Sequence, residues 1–194
     1  MKNIAVLASG GGSNLQAIID ACSSGALPGT KVAVTISNNS KAYVLQRARD
    51  AGVPAFNLSQ ISTKGDLENV MLEVLKDHDI DLIFLAGYLK KLPPAVIETY
   101  QGKILNIHPA LLPKYGCTGM YGMNVHKAVI DAGETETGIT IHHVDLEYDT
   151  GEIVAQCTVP VRPTDTPEAL AARVLTREHL FIVETLRGIL CQDF

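Results

Sequence analysis

Short apolar runs alternate along the chain with longer stretches in which apolar positions recur every three to four residues. Residues 4–7 are continuously apolar and predict a buried strand, and helical spacing begins at Leu15 after three consecutive glycines. A second strand is predicted at 32–37, then a helix at 43–51 stopped by Gly52, and a short strand at 55–58. Leu67, Val70, Met71, Val74 and Leu75 share one face of a further helix. Strands follow at 81–85 and 104–108, separated by a short helix at 93–100 with proline near its start. Residues 109–123 then form an irregular stretch rich in Pro, Gly and Tyr, a length uncommon for a loop without a function. A helix is predicted at 125–132, and two β-branched runs at 138–144 and 153–161 have no helix between them. The last helix starts near Thr166-Pro167-Glu168 and reaches about Leu190.

Strand–helix alternation in the first half argues for a parallel sheet covered on both faces. The last two strands, joined by a loop, are expected to pair antiparallel. The predicted fold is thus α/β and Rossmann-like: three layers around a mostly parallel central sheet, with antiparallel strands in the C-terminal part. One domain is expected over residues 1–194. Hydrophobic residues make up 46% and charged residues 19%, so the chain can bury a core without cross-links. A formal charge of -5 gives no general attraction to nucleic acid or to an anionic membrane, so any bound phosphate must be held by local geometry. Cys22, Cys117, Cys157 and Cys191 have neither zinc-site nor disulfide-framework spacing and read as reduced thiols of a cytoplasmic protein. The first apolar run is too short for a signal peptide or a membrane span.

Candidate chemistry starts at the glycine loop, Ala8-Ser9-Gly10-Gly11-Gly12-Ser13-Asn14-Leu15. Consecutive glycines admit positive φ and close approach of a ligand, and free N–H groups at a helix start attract an anion. Gly10-x-Gly12 matches the first two glycines of a dinucleotide fingerprint but not the third, and Ser37-Asn38-Asn39 offers no ribose carboxylate. A Walker lysine is missing too. A monophosphate therefore fits better than NAD or ATP; the bland alternative is a tight turn that binds nothing.

Asn106-Ile107-His108-Pro109 ends a strand where ligands gather in open α/β sheets. Alternation puts Asn106 and His108 on one face. The Asn106 amide can donate to a carbonyl oxygen as charge develops there. His108 can do the same when protonated, or hand a proton to a leaving group. Asp149 lies in Glu147-Tyr148-Asp149-Thr150-Gly151. Beside His108 it would raise the imidazole pKa and accept a proton from an attacking amine. Equally, it is a loop-capping acid with Gly151 completing a turn. His142 and His143 must face opposite ways on a strand, so one of them points toward the site. His78 reads as a surface residue, the role of His126 stays open, and no metal constellation is present.

The segments Ser9-Gly10-Gly11-Gly12-Ser13-Asn14-Leu15-Gln16, Leu85-Ala86-Gly87-Tyr88, Asn106-Ile107-His108-Pro109-Ala110-Leu111-Leu112-Pro113-Lys114-Tyr115 and Tyr148-Asp149-Thr150-Gly151 together resemble the glycinamide ribonucleotide formyltransferase family. They occur in the family's order and span nearly the whole chain. The resemblance implies formyl transfer from 10-formyltetrahydrofolate, a co-substrate, to the amine of 5'-phosphoribosylglycinamide in purine synthesis, without a metal. It implies Asn106, His108 and Asp149 as the catalytic trio, and Gly12, Ser13 and Asn14 as the phosphate loop. Glu178 is implied as the acid gripping the ribose. The folate is implied along Leu89, Lys90, Lys91 and Leu92, against Asn106, Asp145 and Asp149, with Lys64 as a basic residue near it. Residues 116–124 form a longer loop than in better-known bacterial members, and the Lys90-Lys91 pair brings charge to a segment often apolar there.

The expected partners are small molecules only, with no nucleic acid or membrane, and the expected state is a monomer or weak homodimer. A formyltetrahydrofolate hydrolase is the nearest alternative. It is disfavoured on the expectation that a chain opening at its first strand carries no N-terminal regulatory domain. Transfer to aminoacyl-tRNA is disfavoured because no appended domain or basic surface is expected, and an amino sugar nucleotide acceptor stays open. A non-catalytic nucleotide-binding module is the alternative from another class; the Asn-x-His pair argues against it.

Overall fold

The computed structural model describes residues 1–61 and 63–190. The chain folds as β1 (Lys2–Leu7), α1 (Ser13–Ser23), β2 (Thr30–Ser37), α2 (Val44–Asp50), β3 (Ala55–Asn57), α3 (Lys64–Asp77) and β4 (Leu82–Leu85). It continues with α4 (Pro94–Thr99), β5 (Ile104–His108), α5 (Met123–Asp131), β6 (Glu136–His143), β7 (Ile153–Pro160) and α6 (Pro167–Leu190). The strands form one seven-stranded sheet in the order β3-β2-β1-β4-β5-β6-β7. Pairings from β3 across to β5 are parallel, and β5–β6 and β6–β7 are antiparallel.

Alternation in β1 feeds two cores. Ile4, Val6 and Ala8 pack in one with residues of α1, α2, α5 and α6. Ala5 and Leu7 pack in the other with residues of α3 and α4. Because both faces are covered, the parallel strands read as continuous apolar runs.

Element ends follow local chemistry. Thr63 caps α3 by accepting from the Asp66 N–H at 3.2 Å, and Thr166 caps α6 by accepting from the Ala169 N–H at 3.2 Å. β1 starts two residues before its apolar run because Asn3, though polar, is fixed to the β4 approach: its N–H donates to Asp81 and its amide to the carbonyls of His78 and Asp79. α5 begins at Met123 and β6 at Glu136, each two residues earlier than the apolar pattern predicts. Of the four cysteines, Cys22, Cys117 and Cys157 are free thiols, and Cys191 lies outside the described residues. Among the described residues no helix is long and apolar enough to cross a membrane.

β1 has β2 on one side and β4 on the other, so the loops after β1 and β4 leave the sheet at the point where strand order reverses. A crevice opens there at the carboxyl ends of the strands.

Candidate active site

A cavity of about 580 Å³ occupies this crevice. Its wall takes residues from the β1–α1 loop, the segment after β4, the end of β5, the irregular stretch after it, the β6–β7 loop and α6.

At its centre lie Asn106, His108, His142 and Asp149. Pairing of β5 with β6 sets Asn106 opposite His142. His142 Nδ1 lies 2.8 Å from the His143 carbonyl, which can only accept, so that nitrogen carries the proton. The bare Nε2 then accepts from Asn106 Nδ2 at 3.0 Å. His108 Nε2 donates likewise to the Tyr115 carbonyl at 2.8 Å, leaving Nδ1 as the nitrogen free to gain or lose a proton. Tyr115 holds a left-handed φ of 58°, and its hydroxyl is tied to Glu134 at 2.9 Å.

Asp149 Oδ1 stands 3.5 Å from Asn106 Nδ2, 3.7 Å from His108 Nδ1 and 3.6 Å from His142 Nε2. Asp149 itself has φ of 57°. Its loop is built by Asp145, whose Oδ1 accepts from the Glu147 N–H and the Thr150 hydroxyl. Gly151 lets that loop lie against the end of β6, because a Cβ there would strike the His143 carbonyl.

Burial pulls the His108 pKa below its ordinary value of 6.5, more strongly than Asp149 pulls it up. This corrects the expectation from sequence. The carboxylate does raise the pKa, but a nearly water-free ring disfavours charge by more, and His142 adds to the lowering. The balance of these effects favours the neutral form of the His108 ring.

Glu178 reaches the cavity from α6. It is buried, accepts from Asn14 Nδ2 at 3.1 Å, and is pushed up from 4.5 to about 7, mainly by desolvation. Asn14 Oδ1 is buried with no partner. Gly12 has φ of 75° and caps α1, with the N–H groups of the first helical turn ahead of it. Ser9, Gly10 and Asn14 line the cavity, whereas Ser13 lines a separate, shallower groove between α1 and α6.

On the other side, Leu89, Lys90, Lys91 and Leu92 line the mouth opposite Asp145, Glu147 and Tyr148. The Leu89 N–H donates to Ser9 Oγ at 2.8 Å, tying this segment to the glycine loop. Lys91 bridges the two lips, 3.5 Å from Glu147 and above the Tyr148 ring. Lys64 is exposed at the start of α3 and does not line the cavity.

Sequence reasoning left the choice between His142 and His143 open, although alternation from a known β5–β6 register would have decided it. His126 is buried on α5, lines the cavity and has an unpartnered Nδ1. The irregular stretch supplies Met120 and Tyr121 to the wall. Ala171 and Leu175 of α6 were not anticipated, though they lie seven and three residues before Glu178 on the same helix face. Among the described residues no His, Cys, Asp or Glu group is arranged to hold a metal.

The formyl transferase family model matches residues 2–186. Phosphoribosylglycinamide formyltransferase of Haemophilus influenzae is 45% identical over 181 residues, covering 92% of this chain and 82% of the relative. The chloroplastic enzyme of that name from Vigna unguiculata is 45% identical over 194 residues, and the chain spans 62% of its length. A solved phosphoribosylglycinamide formyltransferase from Bacillus halodurans superposes with a TM-score of 0.90 at 34% identity, covering 100% of this chain and 97% of that one. Fold, crevice and matches define the class: the chain belongs to the formyl transferase family. Within that family it groups with the phosphoribosylglycinamide formyltransferases.

Proposed function

We propose that this protein transfers the formyl group of 10-formyltetrahydrofolate to the amine of 5'-phosphoribosylglycinamide, releasing tetrahydrofolate. The observation that carries this reading is the convergence of Asn106, His108 and His142 on one oxygen of Asp149, all within 3.7 Å. A site that must stabilise an oxyanion while moving a proton between two nitrogens requires that combination of donors and acceptor.

The neutral amine attacks the formyl carbon and gives an adduct with an oxyanion and an ammonium. Asn106 donates to the oxyanion. Asp149 accepts the ammonium proton, directly or through water, and passes it to His108 Nδ1, which then donates to the oxyanion as well. The bond from carbon to N10 of the folate breaks as His108 gives that proton to the nitrogen, so the proton lost by one amine ends on the other, and Asp149 and His108 are left as they began.

Gly12, Ser13 and Asn14 hold the phosphate and Glu178 the ribose hydroxyls. The folate lies along Leu89, Lys90, Lys91 and Leu92, facing Asn106, Asp145 and Asp149. Any contact by Lys64 is confined to the part of the folate outside the cavity. The chain acts as one domain over residues 1–194, as a monomer or weak homodimer, on small molecules in the cytoplasm and without a metal.

Tetrahydrofolate formation followed by absorbance, with and without the glycinamide ribonucleotide, tests this reading. Release that depends on the amine is expected. Equal release without it would make the protein a hydrolase, and no release in either case would make it a binding module.

A further inference from the structure

The glycine loop carries no cationic side chain of its own: none of residues 9–16 is lysine or arginine. A phosphate dianion seated there, in a chain of net charge -5, needs positive charge from elsewhere. α2 brings a cation to the loop, on its side facing the groove between α1 and α6 and outside the cavity wall. Arg47 Nε donates to the Gly11 carbonyl at 2.8 Å, and Nη1 lies 3.4 Å from Gln16 Oε1 at the first turn of α1. The guanidinium also sits over the Tyr43 ring, 5.0 Å from its centroid, so its direction is fixed from both sides.

Arg47 does not act alone on the loop. The Val44 N–H donates to the Gly10 carbonyl at 3.0 Å. The Val44 side chain fills the space where a Cβ on Gly12 would stand, within 2.8 Å of that position. Three successive glycines are thus held by one edge of α2. Two of their carbonyls are consumed by α2 donors, and the N–H groups at the start of α1 have no partner within the helix.

We propose that Arg47 is the positioning residue of the phosphate end. It binds the Gly11 carbonyl to keep the loop amides aimed at an anion, and it provides the charge that offsets a phosphate monoester. This rests on the proposed function only for the identity of the ester; the loop geometry stands without it. Lysine keeps the charge but lacks the planar fork that holds Gly11 and stacks on Tyr43, so Arg47→Lys should restore only part of what Arg47→Gln loses.

The test compares wild type, Arg47→Lys and Arg47→Gln with the glycinamide ribonucleotide and with its dephosphorylated nucleoside. For Arg47→Gln, KM for the phosphorylated amine should rise about tenfold or more, with kcat and the folate KM within about twofold. The preference for the phosphorylated over the dephosphorylated amine should shrink by a similar factor, and Arg47→Lys should fall between. Calorimetric titration with inorganic phosphate gives a second readout that needs no turnover, so it stays informative if the formyl-transfer reading fails. Weaker phosphate binding by Arg47→Gln, with unchanged circular dichroism, supports the assignment. Equal losses for both amines, or unchanged phosphate binding, would overturn it.

Discussion

Glu178→Gln separates stability from function at the end of the cavity proposed to take the glycinamide substrate. Glu178 is 7% exposed, and its pKa rises from 4.5 to about 7 chiefly because burial disfavours its charge. The displacement corresponds to roughly 3 kcal/mol. Below pH 4.5 the group is protonated in both folded and unfolded chains and has no effect on their balance. Between 4.5 and about 7 the unfolded chain ionises first, so folding stability falls as pH rises; above about 7 the loss is complete. Glutamine at 178 has no charge to desolvate, and its side-chain carbonyl can still accept from Asn14. In urea unfolding, the stability of Glu178→Gln relative to wild type should therefore grow by roughly 3 kcal/mol from about pH 4.5 to about pH 8. Parallel curves for the two proteins would refute the assignment of a buried, reluctantly charged carboxyl. The same variant should bind the glycinamide substrate more weakly, as expected where a destabilising charge is kept for function.

Three further outcomes test separate parts of the account. Gly151→Ala should destabilise by about 1–3 kcal/mol and cut turnover, because its Cβ meets the His143 carbonyl and displaces the loop carrying Asp149; thermal unfolding and kcat measured together check this. Gly12→Ala should weaken phosphate binding through strain at φ 75° and collision with Val44, and Val44→Ala in the same chain should recover part of it in calorimetry. Asp149→Asn removes the charge that draws the His108 pKa upward, so the His108 titration followed by NMR should move to lower pH; an unchanged titration would show that the pair is not coupled.

Much of this architecture is legible in the sequence, for a physical reason. Strands buried on both faces need few polar residues, so β1, β2 and β4 are built on continuous apolar runs. Asn106 and His108 were readable together because a strand has period two. The partnership with Asp149 was not, because it depends on two antiparallel pairings and the β6–β7 loop that carries the acid back. The direction of the His108 shift was misjudged because sequence shows a neighbouring charge but not the depth of burial that outweighs it. Arg47 gave no local signal: its partner Gly11 is 36 positions away, and only the packing of α2 on the glycine loop joins them.

The central claim is that Asn106, His108 and Asp149 act on one formyl carbon, and the rate of a single turnover tests it most directly. With both substrates bound at saturation, Asp149→Asn should slow formyl transfer by about 100-fold or more while its far-ultraviolet spectrum and folate affinity stay close to wild type. A single-turnover rate within a few-fold of wild type, in a folded variant that binds both substrates, would contradict the account.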